Sequence, residues 1–341
     1  MTTGSLMAAE MAEQPAVLQR LLDRRAELRG VVRSVVPRRL CGISLVARGS
    51  SDHAALYGRY VLELAAARPA AMAAPSLQTL YQADVDHRGY LVIAISQSGR
   101  TPEIVRVVER MRRSGARTLA IVNDARSPLA AASHAVICLD AGQELAVPAT
   151  KTFTATVFAL GLVAAALGTV PWSDRAAAVL PAAVAGVLAD DAPAEHAAQR
   201  LVAANRVLVT GRGLLMSAAA ETALKIRETS AVFAEALSTA DLRHGPIAAV
   251  TPDVPVVALT AGGPPTADVD DLVRGLRERA VDVTLVAPGP GATVPLPSDL
   301  PEALQAVTAS IRGQQLARHL ALARNLDPDA PEGLTKVTMT N

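Results

Sequence analysis

Aromatic residues make up only 2% of this 341-residue chain, so there are few rings on which nucleobases could stack. No single charge sign dominates either. The 33 Lys and Arg against 32 Asp and Glu leave a formal net charge of +1, so neither a phosphate backbone nor any other nucleic-acid partner is expected. The two cysteines, Cys41 and Cys138, stand far apart with no CxxC spacing and no histidine partner pattern. A metal site or disulfide framework is not expected, and a reducing cytosol is the natural home. Long hydrophobic runs are missing too. Met1 to Ala16 carries Glu10 and Glu13 and lacks the apolar core of a signal peptide. The most apolar stretch, Val157 to Val170, is shorter than the roughly 20 residues that cross a bilayer, and Ala and Gly fill much of it; a buried helix is expected there rather than a membrane segment.

What the chain does have is a run from Leu91 to Glu103, LVIAISQSGRTPE. Leu91 to Ile95 are continuously apolar, as in a strand covered on both faces. Ser96, Gln97, Ser98 and Gly99 follow, then Thr101 as an N-cap and Pro102 at the first helical position. Ile104, Val107, Val108 and Met111 recur at helical spacing. Hydroxyls, an amide and backbone N–H groups gathered at the positive end of a helix form a phosphate cradle. Taken alone, the same residues would also serve an ordinary strand-to-helix turn.

The two halves share one plan. Strand Ile43 to Ala47, turn Gly49-Ser50-Ser51, helix Asp52 to Ala67, strand Leu91 to Ile95, helix Pro102 to Ser114 and strand Thr118 to Val122 make up the first. Strand Arg206 to Thr210, turn Gly211 to Gly213, helix Ser217 to Thr229, strand Val254 to Leu259, helix Ala267 to Arg279 and strand Val283 to Val286 repeat it. Such alternation predicts an α/β fold of two doubly wound, flavodoxin-like parallel-sheet lobes related by an internal repeat, each with its strand-end loops at a switch point. The expected divisions are an N-terminal helical segment 1–40, a first lobe 41–170, a helical connection 171–204, a second lobe 205–325 and a tail 326–341. The second lobe's counterpart of the Ser96 loop, Thr260 to Pro265, has no serine, so one phosphosugar site per chain is expected.

Glu221, Lys225 and Glu228 stand at i, i+4 and i+7 and line one stripe of their helix. That is either a solvated face with an ion pair or part of a reaction centre. Because the helix begins at the strand-end turn Gly211 to Gly213, Glu228 is expected to point toward the crevice. The following Phe233 to Pro246 reads as a long polar loop ending in His244, which is either simply exposed or an acid/base. Glu144 to Phe153 reads as a loop entering an apolar helix, with Thr150 and Lys151 and several N–H groups on offer. Asp327 to Thr338 is too rich in Pro and Asp for helix, and a disordered tail is the usual expectation.

Taken in order, these segments resemble the sugar isomerase (SIS) family, above all the isomerase half of glucosamine-6-phosphate synthase and its stand-alone deaminase/isomerase relatives. The similarity runs nearly end to end. It begins at Met7-Ala-Ala-Glu-Met-Ala-Glu-Gln-Pro15 and continues through Gly49-Ser-Ser51, Ser96 to Gly99 with Thr101, Val147-Pro-Ala-Thr-Lys151, Glu221 to Glu228, His244-Gly-Pro246 and Gly333-Leu-Thr-Lys336. The resemblance implies that Ser50, Ser51, Ser96, Gln97, Ser98 and Thr101 bind the phosphate and nearby sugar hydroxyls, and that Val147 and Ala149 line the sugar through backbone groups. It makes Glu228 the base that moves a proton between C1 and C2, with Lys225 beside it. His244, supplied across the interface of a homodimer, would open the ring. Lys336, on a tail that closes the site, would assist ring opening or the carbonyl chemistry. No metal or other cofactor is implied.

Where the family keeps an arginine four residues before the closing lysine, this chain has Glu332; Ala149 replaces a serine and Arg100 an acid. Neither a glutaminase domain nor a catalytic Cys near residue 1 is found, so glutamine-derived ammonia is not expected to be the nitrogen source. The implied activity is on a hexosamine 6-phosphate, through isomerisation with deamination. Loss of the C3 hydroxyl from the N-acetyl sugar through the same enolate is an alternative. The other is a catalytically silent sugar-phosphate sensor, although such proteins carry a helix-turn-helix domain for which there is no room before Gly42.

Overall fold

The structure, a computed structural model, describes residues 3–336; Met1, Thr2 and the last part of the expected tail, 337–341, lie outside the described residues. The chain opens on helices α1 (Ser5–Ala12), α2 (Gln14–Asp23) and α3 (Arg25–Val35). There follow β1 (Gly42–Val46), α4 (Ser50–Ala66), β2 (Ala70–Met72), α5 (Pro75–Thr79), β3 (Tyr90–Ile95), α6 (Pro102–Arg113), β4 (Arg117–Val122), α7 (Pro128–Ala132), β5 (Ala135–Cys138) and α8 (Lys151–Leu167). Helices α9 (Asp174–Ala189) and α10 (Ala192–Leu201) connect to β6 (Arg206–Gly211), α11 (Leu215–Ser230), β7 (Phe233–Ser238) and α12 (Thr239–Arg243). The chain then runs through β8 (Val256–Leu259), α13 (Thr266–Glu278), β9 (Val283–Pro288), β10 (Val294–Leu296) and α14 (Glu302–Ala323).

Each half forms a five-stranded, wholly parallel sheet, and the strand orders are the same: β2-β1-β3-β4-β5 and β7-β6-β8-β9-β10. This is the doubly wound order that reverses between its first and third strands, and the internal repeat expected from the sequence is present. Chain contacts divide the molecule into two compact units. One holds the first sheet with residues 16–144 and 151–171; the other holds the second sheet with residues 3–15, 145–150 and 172–336 among the described residues.

The first sheet forms because β1, β3 and β4 are apolar runs whose residues are buried on both faces. Helix α6 covers it with Ile104, Val107, Val108 and Met111 and turns its arginines to water. Helix α8 is the expected buried helix, with 13 of its residues inside. No single helix among the described residues is long and apolar enough to cross a membrane.

Four departures from the sequence expectation bear on function. Helix α4 begins at Ser50, so Ser50 and Ser51 belong to its first turn and not to the preceding loop. Phe233 to Pro246 is not a long loop but edge strand β7 followed by α12. Every residue of the strand but Ala234 is exposed or half-exposed, so its composition looks like that of a loop. Three further short strands, β2, β5 and β10, complete the sheets at or next to their edges. Helix α14, which the periodicity did not predict, is buried nearly all round and packs along α11. At Gly313 the two helices approach so closely that a Cβ would meet Thr222 Oγ1 at 2.0 Å.

Candidate active site

In the first-sheet unit, the loops after β1 and β3 stand side by side at the switch point. Gly49, at φ +58°, turns the chain out of β1 into the first turn of α4, where Ser50 and Ser51 lie. After β3, buried Ser96 accepts the Gly99 N–H on its Oγ at 3.2 Å, and the Ser98 Oγ accepts the Arg100 N–H at 3.2 Å. Asn123 N–H donates to the Gln97 carbonyl at 3.0 Å. Gly99 has φ +61°, and a Cβ there would stand 2.2 Å from Ser127 Oγ, so only glycine fits. Thr101 occupies the N-cap position, but its side chain makes no capping hydrogen bond, so its hydroxyl is not committed to its own helix. Hydroxyls on two helix N-termini, backed by a tightly bonded loop, suit an anion.

Charged groups border this cradle. Arg48 grips the Glu103 carboxylate in the first turn of α6 with Nε and one terminal nitrogen, each at 2.9 Å. Arg100 pairs with Asp124 at 3.0 Å.

The second unit repeats the Arg–acid pair but not the cradle. Arg212, after β6, meets Asp268 in the first turn of α13 at 3.1 Å, and Thr239 and Arg243 bond the same carboxylate. The Thr260 to Pro265 loop is covered by Glu302: a Cβ at Gly263 would lie 1.9 Å from its Oε2. Burial pushes the Glu302 carboxyl above its ordinary pKa. A carboxylate of the chain's own thus sits where a second anion would have to bind.

The stripe on α11 is not a solvated face. Glu221 and Lys225 are each 1% exposed, and the ammonium stands 3.3 Å from Glu221 and 2.5 Å from Glu228 Oε2. The Glu228 side chain keeps 22% of its surface. Burial works against the Lys225 charge, but the attraction of Glu221 and Glu228 outweighs it and holds the pKa above the ordinary lysine value. The ammonium is thus favoured in its charged form between the two carboxylates.

The reason expected for Glu228's placement does not hold, however. It lies in the last turn of α11, about 20 Å along the helix from the Gly211–Gly213 turn at 1.5 Å per residue. It is therefore at the opposite end of α11 from the second sheet's own switch point. Arg227 beside it bonds the Ala234 carbonyl near the start of β7 at 2.8 Å.

Val147 and Ala149 are half-buried in the 145–150 segment, which belongs to the second-sheet unit. The Val147 N–H is already donated to the Asp329 carbonyl at 2.9 Å, so of its backbone groups only the carbonyl remains for a sugar. The described part of the tail is not free chain. Asp327 and Asp329 accept N–H groups of Gly4, Leu6 and Met7, and Lys336 Nζ donates to the Ala146 carbonyl at 2.7 Å. His244 is exposed at the C-cap of α12. Lys151 is 1% exposed and belongs to the helix core rather than to an open loop.

Composition held a signal that motif reading missed. The chain has three lysines, Lys151, Lys225 and Lys336, among its 33 basic residues. Everywhere else a cation is arginine, which suffices for a surface charge but offers no primary amine. All three fall in the segments discussed above.

The chain belongs to the SIS domain family, whose sequence profile matches residues 42–166 and 200–322, one copy on each sheet. It is 31% identical to an isomerizing glutamine–fructose-6-phosphate aminotransferase of Thermus thermophilus over 97% of its own length, and it spans 58% of that relative. Among solved structures it superposes on a provisionally named phosphosugar isomerase from Silicibacter pomeroyi DSS-3 with a TM-score of 0.86 at 31% identity, covering 96% of this chain and 100% of the other. It shares the fold of the glucosamine-6-phosphate deaminase of Thermotoga maritima, with a TM-score of 0.74 at 23% identity and coverage of 95% and 99%.

Proposed function

We propose that the protein is a cytosolic enzyme that opens the ring of a hexosamine 6-phosphate and moves a proton between C1 and C2, isomerising the sugar and releasing its amine as ammonia. The observation that carries this reading is the Glu221–Lys225–Glu228 array. A buried ammonium is held charged by two carboxylates, one of which keeps an exposed edge. A non-catalytic sensor has no need of such an arrangement.

The phosphate is held by Ser51, Ser96, Gln97, Ser98 and Thr101, with Ser50 at the start of α4. His244, exposed in the monomer, serves the neighbouring subunit of a homodimer and passes the O1 proton to the ring oxygen as the C1–O5 bond breaks. In the open-chain aldose the C2 proton is acidic because it lies next to the C1 carbonyl. Glu228 takes it, giving an enolamine, and returns it to C1. The C2 amine is then a ketose imine; water adds at C2, the C–N bond breaks, and ammonia and the ketose 6-phosphate leave. The Val147 carbonyl orients the sugar, and Lys336 assists at the carbonyl end.

The test is incubation with glucosamine 6-phosphate, its N-acetyl form and fructose 6-phosphate, followed by mass spectrometry and ammonia assay. Ammonia and fructose 6-phosphate from the amino sugar are expected. Loss of water from the N-acetyl sugar would instead show elimination of the C3 hydroxyl through the same enolate. Binding without turnover of any of the three would show a sensor.

A further inference from the structure

The opening motif contains a buried carboxylate that the proposed reaction does not use. Glu10, on α1, is 4% exposed. Its Oε1 accepts the backbone N–H groups of Leu145 and, at 3.3 Å, of Ala146. The next N–H, of Val147, goes to the Asp329 carbonyl at 2.9 Å. Asp329 in turn caps the start of α1, its carboxylate accepting Leu6 N–H at 3.0 Å and Met7 N–H at 2.8 Å. The three consecutive amides of 145–147 are thereby all held, by the first helix and the tail together. The Ala146 carbonyl, fixed between them, receives Lys336 Nζ at 2.7 Å. Every group in this chain of contacts belongs to the same compact unit.

We infer that Glu10 is a positioning residue for Lys336: by binding the Leu145 and Ala146 amides it sets the direction of the Ala146 carbonyl, and through it the resting place of the Lys336 ammonium. Charge matters here. A carboxylate accepts backbone N–H groups about twice as strongly as a neutral amide oxygen does, and a buried one has no water to fall back on. A peptide segment with free amides could rotate, and its carbonyl would turn away from the lysine. The role assigned to Lys336 in turnover rests on the proposed function; its position does not.

Two readouts separate these. Lys151 and Lys225 are buried at 1% exposure each, so trace acetylation of the folded protein with acetic anhydride reports on Lys336 among the chain's three lysines. In Glu10→Ala, with a cooperative thermal transition retained, Lys336 should label roughly two- to tenfold faster, the factor one ordinary hydrogen bond is worth. Glu10→Gln, which keeps an acceptor oxygen and the shape of the side chain, should fall between wild type and Glu10→Ala, and it serves as the fold-preserving variant. With glucosamine 6-phosphate, Glu10→Ala should lower kcat by about 10- to 100-fold with little change in KM. In a Lys336→Ala background the same change should have almost no further effect. Unchanged Lys336 labelling in the folded variants would overturn the inference whatever the enzyme turns out to do. Changed labelling with no turnover of any sugar phosphate, in the wild type as well, would leave the positioning role standing and refute the assigned reaction. A Glu10→Ala loss of kcat that persists in full without Lys336 would also overturn it.

Discussion

Arg48 holds both oxygens of Glu103 at 2.9 Å, and the second lobe repeats the pair as Arg212 and Asp268 at 3.1 Å. In each lobe the arginine follows the first strand and the acid sits in the first turn of the helix after the third. The pair holds that helix against the strand end, and in the first lobe it neutralises a carboxylate that would otherwise repel an anion at the same helix terminus.

Removing Arg48 should therefore do two things. Arg48→Met removes the bidentate partner of Glu103, whose side chain is 8% exposed, and should cost about 1.5–3 kcal/mol in chemical unfolding, the worth of hydrogen bonds to a charged group. It should also weaken fructose 6-phosphate binding in calorimetry. Adding Glu103→Gln should recover most of the affinity. Affinity that stays low in the double variant would mean that Arg48 touches the phosphate itself.

The cradle is expected to bind one sugar phosphate per chain. Ser98→Ala with Thr101→Ala should weaken binding by about 2–3 kcal/mol, at roughly 1–1.5 kcal/mol per hydrogen bond to a charged group. Thr260→Ala and Thr266→Ala should change little, since Glu302 covers that loop. A calorimetric stoichiometry of two would contradict this.

Glu302 also gives a pH signature. Its folded pKa is raised by burial, so between the ordinary glutamate value and the raised one the folded state binds more protons than the unfolded state. Stability then falls as pH rises through that window. Glu302→Gln has no such loss, so its melting temperature should gain on the wild type from about pH 4.5 upward and match it more closely in acid. A gap that narrows with rising pH would refute the burial account.

Lys225 follows the same sign, but in a much more alkaline window. Its folded pKa is raised, so its contribution is fully present below the ordinary lysine pKa and is lost only as pH climbs through the raised value. Lys225→Met leaves Glu221 buried without its cation and should destabilise by about 3–5 kcal/mol. Measured by denaturant titration, that loss should stay level from pH 6 to 9. Destabilisation under about 1 kcal/mol would place the pair in the surface class instead.

Much of the first lobe could be read in the chain. The apolar run of β3, the hydroxyl loop and the amphipathic α6 agree in periodicity and in the position of the helix start at Thr101 and Pro102, though Thr101 makes no capping hydrogen bond. Helix α14 could not be read in this way. Of its 22 residues 17 are buried, among them Gln305, Arg312, Gln314 and Gln315, so no apolar stripe marks them. Strand β7 hid because, at the sheet edge, all its residues but Ala234 are exposed or half-exposed and it carries Glu235 and Ser238. The helix expected around Glu228 is present as α11, but Glu228 does not point to the strand-end turn, since a helix starting at one strand end carries its last turn away from it. Glu10 went unassigned because its partner at Leu145 is 135 residues distant, and no local spacing encodes such a contact.

The central claim is that Glu228 removes the C2 proton. Glu228→Gln keeps the shape of the side chain and removes its basicity, so sugar-phosphate affinity should survive while turnover falls by ~10²- to 10⁴-fold. The most direct measurement follows the C2 hydrogen of glucosamine 6-phosphate by proton NMR in deuterated water. Wild-type protein should exchange it and Glu228→Gln should not, with binding confirmed in the same sample. Exchange at the wild-type rate in Glu228→Gln would contradict the assignment and with it the account of the site.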